Sequence, residues 1–167
     1  MRKTISALLT IILTISSISL LAACQSAPSR DEQFFYGDIY FGMLQDDVRE
    51  LASGSLWVDE EERLYYKSSD APYTSARSDT TYIFQRKTSK GRELDYIHVC
   101  YYHSGTREEI METLKEALSN DYGTCHKEKN AYGNDCYIWE TSLVRIQLDY
   151  DETYSYATIF YSRRVFD

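Results

Sequence analysis

Three stretches of strict two-residue alternation constrain this chain more than any other feature. In Leu94 to His103, Ile97, Val99 and Tyr101 point one way, and Tyr96, His98, Cys100 and Tyr102 the other. In Leu143 to Tyr150, Val144, Ile146, Leu148 and Tyr150 oppose Leu143, Arg145, Gln147 and Asp149. In Tyr154 to Ser162, Ala157, Ile159 and Tyr161 oppose Tyr154, Tyr156, Thr158 and Phe160. Such runs demand a sheet with one apolar face and a layer to cover it.

Two helices are available as that layer. Leu44, Val48 and Leu51 share a face at helical spacing, Asp46 and Asp47 suit a helix N-terminus, and Gly54 is a stop signal. In the second, Thr106 and Glu109 form a capping box and Ile110, Met111, Leu114, Ala117 and Leu118 an apolar stripe, closed by Gly123. After the first helix come strand-like runs at Arg63 to Ser68, Thr80 to Lys87 and Leu94 to His103, with Lys90-Gly91 in a turn. After the second come Cys136 to Thr141, Leu143 to Tyr150 and Tyr154 to Ser162, with Asp151-Glu152 in the last turn. An alternative reading starts the first of these nearer His126. The expected fold class is therefore α+β: two tandem helix-plus-three-strand units, about 34–104 and 105–167, forming an antiparallel sheet with helices on one face.

That order resembles the tandem repeats of the beta-lactamase-inhibitor-protein-like fold. It is also similar to small envelope lipoproteins of the outer-membrane assembly type, which open with a Gly-Met-x-x-x-x-Val helix. Gly42-Met43 and Val48 match that motif, and Leu44 departs from the Ser or Thr often found at its cap. The resemblance implies a binding or scaffolding role rather than catalysis, and it carries over no inhibitory residue.

Composition narrows the function. The chain has 26 acidic and 18 basic residues, a net charge of −8, which lacks the basic footprint that nucleic acid requires. A hydrophobic content of 43% with only two prolines argues for a folded chain rather than a disordered one. Arg2 and Lys3 followed by the uncharged run Ile5 to Ala23 read as a secretory signal over residues 1–23. Leu21-Ala22-Ala23-Cys24 resembles the lipobox of bacterial lipoproteins. In that family the cysteine receives a diacylglyceryl group, with palmitate as an expected acyl chain, and becomes the first residue after cleavage. Two acyl chains anchor stably where one does so marginally. An uncleaved membrane anchor and plain secretion with a free Cys24 are the competing readings. Residues 24–33 form a flexible tether to a single domain at 34–167. The expected location is the cell membrane or outer membrane, facing outside the cytoplasm.

With Cys24 assigned to lipid, Cys100, Cys125 and Cys136 remain in an oxidising space. A Cys125–Cys136 disulfide is favoured by closeness in sequence; Cys100–Cys136 across neighbouring strands and no bond at all are the alternatives. Familiar catalytic motifs are missing: no G-x-S-x-G, P-loop, H-E-x-x-H or paired C-x-x-C occurs. His98, His103 and His126 with Cys100 or Cys125 match no zinc spacing, and Asp95 and His98 lie on opposite sides of a strand. Asp59-Glu60-Glu61-Glu62 reads as a solvated turn without calcium-loop spacing. No cofactor, metal or catalytic residue is assigned.

The functional expectation rests on Tyr96, His98, Tyr102, Tyr154, Tyr156 and Phe160. They form either a binding face or a set of good strand formers that tolerate half-burial. The first reading gives a lipid-anchored, non-catalytic binding or scaffolding protein of the cell envelope. Its partners are the membrane through Cys24, an envelope or extracellular protein, and no nucleic acid. The alternative is a small envelope enzyme with a site of dispersed His, Tyr and carboxylates.

Overall fold

A computed structural model describes residues 33–52, 55–59, 63–68 and 72–164. The leader, the lipobox, residues 25–32 of the tether, Gly54 and the acidic residues 60–62 lie outside them. The described residues form an α+β fold, with two helices and mostly antiparallel strands. A small hairpin, β1 (Phe35–Tyr36) and β2 (Ile39–Tyr40), precedes helix α1 (Gln45–Leu51). Strands β3 (Ser55–Asp59), β4 (Arg63–Ser68) and β5 (Arg77–Ile83) follow, then a second hairpin, β6 (Arg86–Thr88) and β7 (Gly91–Glu93), and β8 (Tyr96–Tyr102). Helix α2 (Arg107–Tyr122) leads into β9 (His126–Lys129), β10 (Asp135–Glu140), β11 (Val144–Asp151) and β12 (Tyr156–Arg163).

One eight-stranded antiparallel sheet has the order β3-β4-β5-β8-β12-β11-β10-β9. Each helix thus precedes four strands of this sheet, not three, and the two sets meet through their last strands, β8 and β12. The additional strands, β3 and β9, are the two edges. His126-Lys127-Glu128-Lys129 has no apolar alternation, because an edge strand with mostly exposed side chains needs none. The expected Thr80 to Lys87 run is also divided. The sheet strand ends at Ile83, and Arg86–Thr88 turns back through residues 89–90 to pair with Gly91–Glu93.

The alternating apolar set builds the core. Ile97, Val99 and Tyr101 lie opposite Tyr161, Ile159 and Ala157 across β8 and β12, and all six are fully buried. Val144, Ile146, Leu148, Tyr150 and Trp139 extend this layer. Helix α2 contributes Ile110, Met111, Leu114 and Leu118, and α1 contributes Val48, to the same core. The α2 capping box is present: Glu109 N–H donates to Thr106 Oγ1 at 3.2 Å, and Thr106 N–H donates to Glu109 Oε2 at 2.8 Å. At the other end Gly123 has φ +83°, a conformation that disfavours a side chain. The buried Trp139 indole N–H donates to Gly123 O at 3.0 Å, tying the end of α2 to β10.

Helix α1 departs from the expected three-residue face. Val48 is fully buried, but Leu51 is 52% exposed. The helix has only seven residues and ends where Ala52 N–H bonds Val48 O, so its last turn projects beyond the core. At the start of the described domain Phe34 is buried, its ring 5.2 Å from Phe41 and 5.4 Å from Tyr161. Among the described residues no helix is long and apolar enough to cross a membrane.

These burials predict a contrast between two leucines. Leu114→Ala removes a fully buried side chain and is expected to cost about 2–5 kcal/mol. Leu51→Ala is expected to change stability by no more than about 0.5 kcal/mol. Urea unfolding of both variants checks the assignment; equal losses would contradict it.

Candidate aromatic binding face

Residues of β8 and β12 alternate between two environments. Those facing the helices form the core just described; Tyr96, His98, Cys100 and Tyr102, with Tyr156, Thr158, Phe160 and Ser162, project from the other side. Antiparallel pairing sets His98 opposite Phe160 and Cys100 opposite Thr158. The rings therefore meet across the strands. Tyr96 stacks on Phe160 at 5.3 Å, and the His98 ring meets Phe160 edge-on at 5.9 Å. Tyr102 meets Tyr156 edge-on at 5.4 Å, and Tyr154 lies parallel to Tyr156 at 6.0 Å. Such pairs add to sheet stability beyond the area they bury.

All six expected residues lie on this side of the sheet or at its end, not beneath the helices. Tyr96, His98, Tyr156 and Phe160 are half-buried, while Tyr102 and Tyr154 are exposed. Tyr154 is not in the last strand. β11 ends at Asp151, and Asp151 Oδ1 accepts hydrogen bonds from the N–H groups of Thr153 (2.8 Å) and Tyr154 (3.1 Å). This turn holds Tyr154 before β12 begins at Tyr156, and its ring still joins the row. The face is closed in places. Cys100 is buried, and so are Cys136 and Ile138, beside the ion pairs of Arg145 with Glu128 (2.6 Å) and Glu140 (3.1 Å).

Several contributors escaped the sequence reading. Asp79 pairs with Cys100 in register, and Tyr102 Oη donates to Asp79 Oδ2 at 3.1 Å. Arg77 lies over the Tyr102 ring at 5.4 Å. Both residues belong to β5, whose core-facing positions include Ser78 and Thr80, buried but polar. A strand polar on both faces gives no apolar alternation by which its start can be read.

The electrostatics suit a neutral surface better than a nucleophile. Burial, then the Asp79 charge, pushes the Cys100 thiol up to about 11. Burial, then Arg63, pulls His98 below its ordinary value. The two touch, Sγ to Nε2 at 3.8 Å, but at neutral pH they meet as a thiol and a neutral imidazole, not as an activated ion pair. Tyr102 and Tyr156 are both pushed up to about 12, chiefly by burial, and keep their protons. Asp95 does not approach His98; its Oδ2 accepts from Arg86 N–H at 2.7 Å. His98, His103 and His126 do not converge, and among the described residues no group of three His, Cys, Asp or Glu is placed to hold a metal.

The expected Cys125–Cys136 disulfide is not formed; Cys100, Cys125 and Cys136 are all free. The register explains why. Cys136 pairs with Glu128 on the side away from the helices and donates its thiol to Glu128 O at 3.6 Å, while Cys125 packs against the core. The alternative Cys100–Cys136 pair is no closer to bonding, because β12 and β11 separate β8 from β10. Three strand spacings make about 14 Å, against a limit of about 7 Å between bridged Cα atoms.

At one end of the face a groove of about 560 Å³ opens between the β9–β10 and β11–β12 turns. His98, Tyr156 and Thr158 line it from the sheet, and Asp149, Asp151 and Tyr154 from its end. No protein-family model matches the chain, and neither a curated protein nor a solved structure matches it.

The burial of His98 has a pH consequence. Its folded pKa lies below the ordinary 6.5, so the unfolded chain binds more protons. Stability is then complete above about pH 7 and declines as pH falls through 6.5 toward 5. Glu128, held below its ordinary 4.5 by hydrogen bonds from His126 and Arg145, contributes its own loss only under more acidic conditions. Urea midpoints measured from pH 7.5 to 5 should fall in the native chain and fall less in His98→Gln. Parallel curves would mean that His98 is not the titrating group.

Proposed function

We propose that this chain is a lipid-anchored protein of the bacterial envelope that binds another envelope or extracellular protein, without catalysis, through its aromatic sheet face. The observation that carries the reading is two groups of packed rings across β8 and β12, Tyr96, Phe160 and His98 on one side of the Cys100–Thr158 pair and Tyr102, Tyr156 and Tyr154 on the other, on the side of the sheet that neither helix covers. Rings packed on one another are already ordered, so these side chains lose little further entropy when a partner meets them. The leader and Leu21-Ala22-Ala23-Cys24 support anchoring outside the cytoplasm. We also read the fold as a duplicated helix-plus-strands unit. The support is that each helix precedes four strands, and that the two sets run in the same order, each with its last strand at the sheet centre and its first at the edge.

The anchoring is tested on native protein. Mass spectrometry of the N-terminal peptide should show Cys24 carrying the diacylglyceryl mass. An unmodified Cys24 or an intact Met1 leader would exclude it.

Binding is tested with the triple variant Tyr96→Ala, Tyr102→Ala, Tyr156→Ala. Partners are recovered from native membranes by mild crosslinking, identified, and retested in purified form. Truncating one or two central rings should cost about 2 kcal/mol or more, a loss of affinity of at least about 30-fold. Unchanged affinity in a folded variant would leave these tyrosines as strand formers only.

A further inference from the structure

The groove at the end of the aromatic face differs from the rest of the surface in two respects. The first is charge. Asp149, Asp151 and Glu152 line it, with neither Lys nor Arg in its wall. Glu152 is paired with Arg107, but among the described residues Asp149 and Asp151 have no basic partner. Asp149 is hydrogen-bonded through both oxygens, to Tyr150 N–H and to the Asn130 amide. Asp151 uses Oδ1, and no donor among the described residues reaches Oδ2. The second respect is the lips. Tyr132 and Tyr154, 89% and 70% exposed, are the two most exposed large hydrophobic side chains among the described residues, and both line this groove. They stand on opposite turns. Asn130 Oδ1 accepts from the N–H groups of Tyr132 and Asn134 at 3.0 and 2.9 Å, as Asp151 does for the other turn.

An uncovered phenol ring beside an uncompensated carboxylate attracts one chemistry above others. The ring face attracts a cation, and the carboxylate accepts the cation's N–H groups. His98 on the groove wall is kept uncharged by burial and does not oppose this. A neutral glycan would use the rings but gain nothing from the carboxylate charge. A groove of about 560 Å³ has room for long side chains. The net charge of −8 would steer a basic partner toward the surface.

We propose that this groove receives the Lys or Arg side chains of a basic segment of a partner protein, with Tyr132 and Tyr154 as cation-binding lips and Asp151 as the charged acceptor. The proposal rests on the reading of the aromatic face as a binding surface, and it specifies the chemistry of what binds there.

The test titrates the full chain, purified in detergent, with hexa-arginine, hexa-glutamine, spermidine and a neutral chitotetraose. Asp151→Asn keeps the Oδ1 acceptor of the turn while removing the charge. Tyr154→Leu removes the ring and Tyr154→Phe retains it. Glu116→Gln, exposed on α2, removes the same charge elsewhere. Thermal unfolding confirms that each variant folds. Hexa-arginine should bind, more weakly as salt rises, and lose about five- to tenfold in affinity in Asp151→Asn and in Tyr154→Leu. Tyr154→Phe and Glu116→Gln should stay within about twofold of the native chain. No binding of hexa-arginine, an equal loss in Glu116→Gln, or chitotetraose or spermidine binding as tightly would overturn the proposal. Tyr96 and Tyr102 lie outside the groove wall, so partner capture compared between the native chain and the Tyr96→Ala, Tyr102→Ala double variant reads the face separately, and the groove can fail while the binding face stands.

Discussion

The pairing of β8 with β12 is the interaction on which the rest of the molecule depends. These strands are the only link in the sheet between the four strands that follow α1 and the four that follow α2. On the covered side their contact joins Ile97, Val99 and Tyr101 to Ala157, Ile159 and Tyr161, the centre of the core. On the other side the same register brings Phe160 against Tyr96 and His98. A slip of one residue would exchange the two sets, burying His98 and exposing Val99. The apolar alternation that secures the fold therefore also positions the candidate site.

That coupling explains what was legible beforehand. The paired central strands and α2 announce themselves, because a side chain buried on one face must be apolar and its neighbours need not be. The α2 capping box and apolar stripe were legible for the same kind of reason, each residue being tied to its neighbours within one turn. The aromatic face followed from the parity of the strands alone. What was missed lies where that logic weakens. β9 is a charged edge strand, and β5 buries Ser78 and Thr80 on its core side, so neither carries the pattern. Asp79 and Arg77 entered the site unannounced for this reason. Leu51 shows the converse: helical spacing placed it on the core face of a helix too short to bring it there.

The cysteines illustrate a different limit. Cys125 and Cys136 are eleven positions apart in the sequence, yet the β9–β10 hairpin sends them to opposite sides of the sheet. Nearness along a chain is a poor guide to bonding when the intervening segment is a hairpin, because side-chain direction depends on register rather than on distance. The groove is likewise a product of two turns, from β9–β10 and β11–β12, which meet only once their strands are paired.

Val99 and Ile159 face each other across 60 residues of chain, whereas the hairpins within each half close over far shorter loops. Contacts of such separation carry the larger closure entropy, and their formation governs folding speed more than local pairings do. Each half contributes one side of every β8–β12 ring contact, so neither half alone possesses the aromatic face. A newly made chain would thus lack this face until its two halves had docked, and the presence of the face would itself report that folding was complete.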